Sequence, residues 1–176
     1  MRFLLVDRLL EVERGKRLVA TKCVALSEDY FADHFPDCPV MPASIIVEGL
    51  EQASHLLVGL SSEFTRAATL RRVPRASFRG LVSPGDRLLL RVTLTLFTET
   101  EARVQATADS EAQTIADAQL EFDLKDAAED PQAAECCRRL QAFYSLLTAD
   151  PVPLFGTPLS PAGGEGTVRG ADRHVL

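Results

Sequence analysis

The chain has 176 residues, a hydrophobic share of 46%, no tryptophan and a formal net charge of −6. That length suits one domain with an appendage and is enough to bury a real core, while the acidic balance argues against nucleic acid as the principal partner. No apolar run is long enough to span a bilayer, and the opening MRFLLVDRLLEVERGKR is interrupted by Asp7 and Arg8, unlike a secretory core. The expectation is a cytoplasmic protein, with no membrane partner, in which Cys23, Cys38, Cys136 and Cys137 stay reduced; their spacing matches no zinc knuckle.

Taken in chain order, RFLLVDRLLEVERGKRLVATKCVAL reads as two strands around a turn at Glu13 to Lys16, with Gly15 supplying the tight geometry. SEDYFADHFPDCPVMP is a loop with three prolines, and from Pro42 a helix runs to about Leu60. Ile45, Ile46, Val47, Leu50, Ala53, Leu56, Leu57 and Val58 cover most of its circumference, the pattern of a buried helix. At about 100° per residue, Ser44, Glu48, Glu51, Gln52 and His55 share one narrow arc. That polar stripe requires a cleft or a subunit seam.

RRVPRASFRGLV, DRLLLRVTLTLFTET, EARVQATADSEA and TIADAQLEFDLK read as four further strands, and Ser83 to Asp86 (SPGD) as the turn joining the first two. Their alternation suits antiparallel strands with one covered face. One long buried helix against an antiparallel sheet of five or more strands is an α+β layout. Asp130-Pro131 then opens a second helix, with Ala133, Cys137, Leu140, Phe143, Tyr144 and Leu147 as its packing stripe. The expected organisation is a domain over 1–127, a helical extension over 128–150 and a disordered tail over 151–176, which is polar and glycine-rich.

Charge is uneven. Seven arginines fall between Arg66 and Arg91 against the single Asp86, and acids dominate from Glu99 to Glu135. Such a run is either a solvated face or a docking patch for an anionic partner.

A histidine beside Phe-Pro is more often structural than catalytic, but a lone glutamate in a buried helix is rarer, since an unpaired buried carboxylate costs several kcal/mol. Kept neutral by desolvation, Glu48 has the properties of a general acid, and a neutral His34 those of the matching base. His55, two turns beyond Glu48, reads as lining a seam, and Cys38 as packing in the loop.

FLLVDRLLEVERGKR, HFPDCPVMPASIIVEGLEQA and ASFRGLVSPGDRLLLRV arrive in the order and spacing of the β-hydroxyacyl-acyl carrier protein dehydratases, over roughly residues 1 to 125. The chain resembles that family, whose central motif is H-F-P-G-x-P-x-x-P-G-x-x-x-x-E-x-x-x-Q, and specifically its glutamate branch. The resemblance implies a hot-dog fold, a sheet wrapped around one helix. It implies loss of water from a (3R)-3-hydroxyacyl thioester to give the trans-2-enoyl thioester, in fatty acid or related polyketide or specialised lipid synthesis. His34 matches the catalytic base, Glu48 the acid and Ala43 the donor of an oxyanion-binding N–H, with Phe35, Pro42 and Gln52 in support. No cofactor or metal is implied. The implied partner is acyl carrier protein with its phosphopantetheine-linked chain, docked on Arg71, Arg72, Arg75 and Arg79. The family also implies a homodimer with shared active sites and allows three dimers to join.

Two positions depart from the motif: Asp37 and Ala43 stand where the family carries glycine. They keep two alternatives in view beside the dehydratase, namely a weakened hot-dog domain that binds carrier protein and a hot-dog thioesterase.

Overall fold

The computed structural model describes residues 4–110 and 113–148; the expected tail lies outside them. The elements are β1 (Arg8–Glu13), β2 (Arg17–Cys23), a 3-10 turn (Asp29–Phe31), α1 (Ala43–Ser61), β3 (Arg66–Phe78), β4 (Arg87–Phe97), β5 (Glu101–Ser110), β6 (Gln113–Asp126) and α2 (Pro131–Thr148). The strands form one sheet in the order β1-β2-β4-β5-β6-β3, and every neighbouring pair is antiparallel. Gly15, at φ +74°, turns the chain between β1 and β2 as its sequence predicts.

One expected connection differs. The Ser83–Asp86 turn is present, closed by the Asp86 N–H donating to the Ser83 carbonyl at 3.1 Å with Gly85 at φ +99°. The strands it separates are not neighbours, however, because β3 pairs with β6 while β4 lies between β2 and β5. β3 also begins at Arg66 rather than Arg71. Alternation reports that a stretch is a strand but not which strand lies beside it. The pairing here is the one that sets the arginines of β3 against the acids of β6.

α1 packs on the sheet's inner face against β2 through β6. Leu50, Leu56, Leu57 and Val58 are fully buried there. They meet an inner surface on β5 and β6 that is rich in alanine (Ala102, Ala106, Ala108, Ala116 and Ala118, all buried). Small residues on the sheet leave room for large ones on the helix.

α2 starts where the sequence places it. The Asp130 carboxylate accepts the N–H groups of Gln132 at 2.8 Å and Ala133 at 3.2 Å, a side-chain cap on a helix opened by proline. Ala133 and Cys137 pack with Ala67, while Leu140, Phe143, Tyr144 and Leu147 reach the main core. Gly59 permits this approach, since a Cβ there would lie 2.7 Å from the Leu140 Cδ2.

Candidate active site

The loop before α1 is pinned at both ends. Met41 donates its N–H to the Val82 carbonyl at 2.8 Å, and Val40 donates to the His34 carbonyl at 3.0 Å. At the other end Lys22, buried on β2, holds Glu28 at 2.6 Å and Asp7 at 3.6 Å. Nothing in the sequence pattern marks this clamp, because its members are a strand lysine and acids from the two segments that flank it.

His34 is half-buried, with its Nδ1 2.8 Å from the Val40 carbonyl. A carbonyl can only accept, so Nδ1 carries the hydrogen and the neutral ring presents Nε2 as its free lone pair. Phe35, 56% exposed, stacks on the imidazole with ring centroids 4.4 Å apart.

The two departures from the family motif carry no backbone strain. Asp37 sits in a turn in which the Cys38 N–H donates to the Phe35 carbonyl at 3.1 Å. Neither Asp37 nor Ala43 has a positive φ, the conformation for which glycine would be needed. Ala43 is the first residue of α1. Pro42, expected at that first position, is instead the N-cap, with ψ 138° and its carbonyl accepting from Ile45 at 2.9 Å and Ile46 at 3.2 Å. Its fixed φ suits either place. The N–H groups of Ala43 and Ser44 find no protein acceptor among the described residues. They are the free donors at the positive end of the helix.

Along α1 the polar stripe divides. Gln52 is fully buried and fixed from two sides: its Oε1 accepts the Leu5 N–H at 2.9 Å, and its Nε2 donates to the Glu48 Oε1 at 2.8 Å. The main chain at Leu5 thereby sets the amide's orientation, and the amide sets that of Glu48. Glu48 itself is only half-buried within one chain, not enclosed as its sequence surroundings suggest. Burial pushes the Glu51 carboxyl up to about 7, with the charge of Glu48 adding to it. His55 is pushed down to about 4 by burial, against an opposing pull from Glu48. Its Nε2 is 3.7 Å from the Glu51 Oε1 and its ring lies edge-on to Phe122. Among the described residues, no hydrogen bond or ion pair joins His34 to Glu48.

The arginine patch is largely spoken for. Arg71 meets Glu121 at 3.3 Å, Asp123 at 3.2 Å and Glu101 at 3.7 Å, and Arg79 pairs with Asp117. On the neighbouring strands Arg91 pairs with Asp109 at 2.9 Å. The basic and acidic runs of the sequence are therefore mostly two sides of one sheet surface. Arg72 and Arg75 are exposed without an ion pair among the described residues, and the Arg75 Nε contacts the Ser77 hydroxyl at 3.4 Å. All four cysteines are free; Cys38 and Cys136 are exposed and Cys137 is buried. Among the described residues no helix is long and apolar enough to cross a membrane, and no group of three or more His, Cys, Asp or Glu side chains could hold a metal.

A six-stranded antiparallel sheet around one buried helix, with a histidine loop at that helix's N-terminus, is a hot-dog fold. A Streptococcus mutans protein solved with acetyl CoA shares it, with a TM-score of 0.56 at 17% identity over 68% of this chain and 88% of its own, a likeness of fold alone. The chain belongs to the FabA-like domain family, whose model matches residues 1–123. Among its relatives are proteins named 3-hydroxyacyl-[acyl-carrier-protein] dehydratase FabZ. That of Bacillus velezensis is 39% identical over 69% of this chain and 87% of its own length. That of Exiguobacterium sibiricum is 40% identical over 70% and 89%.

Proposed function

We propose that the chain is a 3-hydroxyacyl-acyl carrier protein dehydratase of fatty acid biosynthesis, and that His34 and Glu48 carry its chemistry as a pair contributed by two subunits of a homodimer. The observation that carries the mechanism is the imidazole fixed with Nε2 free. His34 Nε2 takes the proton from C2 of the acyl thioester, and the C2–H electron pair becomes the C2–C3 double bond. Glu48 gives its proton to the C3 hydroxyl, which leaves as water. Because the Glu48 Oε1 already accepts from Gln52, Oε2 is the oxygen left to face the C3 hydroxyl. The thioester oxygen gains negative charge as C2 loses its proton. The free N–H groups of Ala43 and Ser44 are donors of the kind that stabilise it.

Support for the pairing between subunits comes from the separate hydrogen-bonding of the two groups within one chain. The sheet edge supports it as well: β3 is a 13-residue edge strand that exposes Val73 and Phe78. The chain's substrate would arrive on an acidic carrier protein, and of the four arginines expected to dock it Arg72 and Arg75 have no ion pair among the described residues. Reversing their charge should raise KM for carrier-bound substrates in a salt-dependent way and spare small thioesters; equal losses on both would refute the docking role. The site of action we infer is the cytoplasm, where such carriers are made.

Product identity tests the activity. Incubation with a 3-hydroxyacyl-carrier protein thioester should yield the trans-2-enoyl thioester. Free acid would instead make the protein a thioesterase, and unchanged substrate bound to protein would make it a binding domain.

A further inference from the structure

Two segments of the chain orient the groups assigned to the chemistry, and both are fastened to one side chain. Leu5, fully buried, donates the N–H that fixes Gln52, which in turn donates to Glu48. Two residues on, Asp7 is tied to β2 at three points. Its N–H donates to the Thr21 carbonyl at 2.8 Å, its Oδ2 accepts the Cys23 N–H, and its Oδ1 lies 3.6 Å from the Lys22 Nζ. The same Nζ donates to the Glu28 Oε1 at 2.6 Å. Glu28 stands just before the 3-10 turn Asp29–Phe31, and His34 follows shortly after that turn. Among the described residues no backbone hydrogen bond joins residues 5–7 to residues 28–41. Lys22 is the polar link between them.

We propose that Lys22 is a positioning residue for the dehydration: its ammonium keeps the segment that orients Glu48 in register with the loop that carries His34. The inference rests on the dehydratase reading for what those two groups do. Lys22 is buried, and its stem lines a tight apolar gap with Leu5, Met41, Ile45 and Ile46, beside the start of α1. An ammonium withdrawn from water is held to the carboxylates that compensate it, because leaving either charge unpaired is strongly unfavourable. The stem thus packs where the loop enters the helix, while the charge draws both flanking segments onto β2. In a dimer with shared sites, His34 and Glu48 of one chain serve different sites, so one lysine touches both.

The test uses the full-length protein. Lys22→Met keeps an apolar stem and removes the ammonium. It should lower kcat on a 3-hydroxyacyl thioester by about tenfold or more and change KM less than about twofold, since misplacement of reacting groups acts on the transition state. The double variant Lys22→Met/Glu28→Gln also removes the carboxylate left unpaired, so Tm should recover while kcat stays low. Imidazole nitrogen chemical shifts read the His34 tautomer without turnover. The Nδ1-protonated form set by the Val40 carbonyl should give way to a mixture in Lys22→Met. Wild-type kcat with unchanged shifts in Lys22→Met, or kcat that recovers in step with Tm in the double variant, would overturn the proposal. No turnover by the wild type would sink the dehydratase reading instead, and the imidazole shifts would then decide whether Lys22 orders the loop.

Discussion

The two ends of α1 are built in opposite ways. At its N-terminus the helix is open: Ala43 and Ser44 are exposed, their N–H groups find no acceptor among the described residues, and the neighbouring loop presents an imidazole. At its C-terminus the helix is covered, with Leu140 seated against Gly59 and the last turns almost wholly buried. The open end has unspent hydrogen-bonding capacity and a helix dipole, which suit charge that develops during a reaction. The covered end has packing and desolvation, which displace ionisation equilibria. These two ends lie about four turns apart on one 19-residue helix.

The largest expected effect breaks the open end. His34→Ala and Glu48→Gln should each lower kcat by about 10²–10⁴-fold while the fold persists, as read by steady-state kinetics beside circular dichroism. Near-wild-type turnover in either variant would remove that residue from the mechanism.

A smaller effect sharpens the covered end. Glu51 is raised from 4.5 to about 7, so the folded state binds more protons than the unfolded in that window. Its contribution to stability is fully present below pH 4.5 and is lost as the pH rises through 7. His55 is lowered from 6.5 to about 4, so its contribution is present above pH 6.5 and is lost as the pH falls through 4. The two slopes oppose each other where the windows overlap. Glu51→Gln should therefore make stability fall more steeply on acidification from pH 6.5 than in the wild type. His55→Gln should leave a fall as the pH rises from 4.5 to 7. Urea denaturation at a series of pH values measures this, and three superimposable profiles would contradict it.

The smallest effect is at Ala43. Since this residue already has helical geometry and keeps its N–H, Ala43→Gly should change turnover less than about twofold and lower stability by up to about 1 kcal/mol. A large gain in turnover would mean that the methyl group crowds the reacting carbonyl.

The helix was legible from its apolar circumference, and its narrow polar arc located Glu48, Gln52 and His55 together. α2 was legible from Asp130-Pro131, because a capping side chain and a fixed φ act locally. The sheet order was not, since β3 and β6 recognise one another across more than thirty residues of intervening chain. The same long-range pairing sets Arg71 and Arg79 in ion pairs with acids of β6, which no local pattern announces. Burial raises Glu51, which the stripe alone does not single out, because burial depends on what covers a stripe. The Val40 carbonyl and the Leu5 N–H, which orient His34 and Gln52, are backbone groups that no side-chain pattern announces.

Whether His34 and Glu48 act as a pair across two chains can be measured by mixing. His34→Ala and Glu48→Gln chains, each inactive alone, are unfolded together and refolded. In each mixed dimer one site collects both lesions and the other collects none. Random two-fold pairing makes half the dimers mixed, so activity should return to roughly a quarter of wild type. If each chain held its own pair, every site would carry one lesion, and continued inactivity after verified subunit exchange would contradict the shared site.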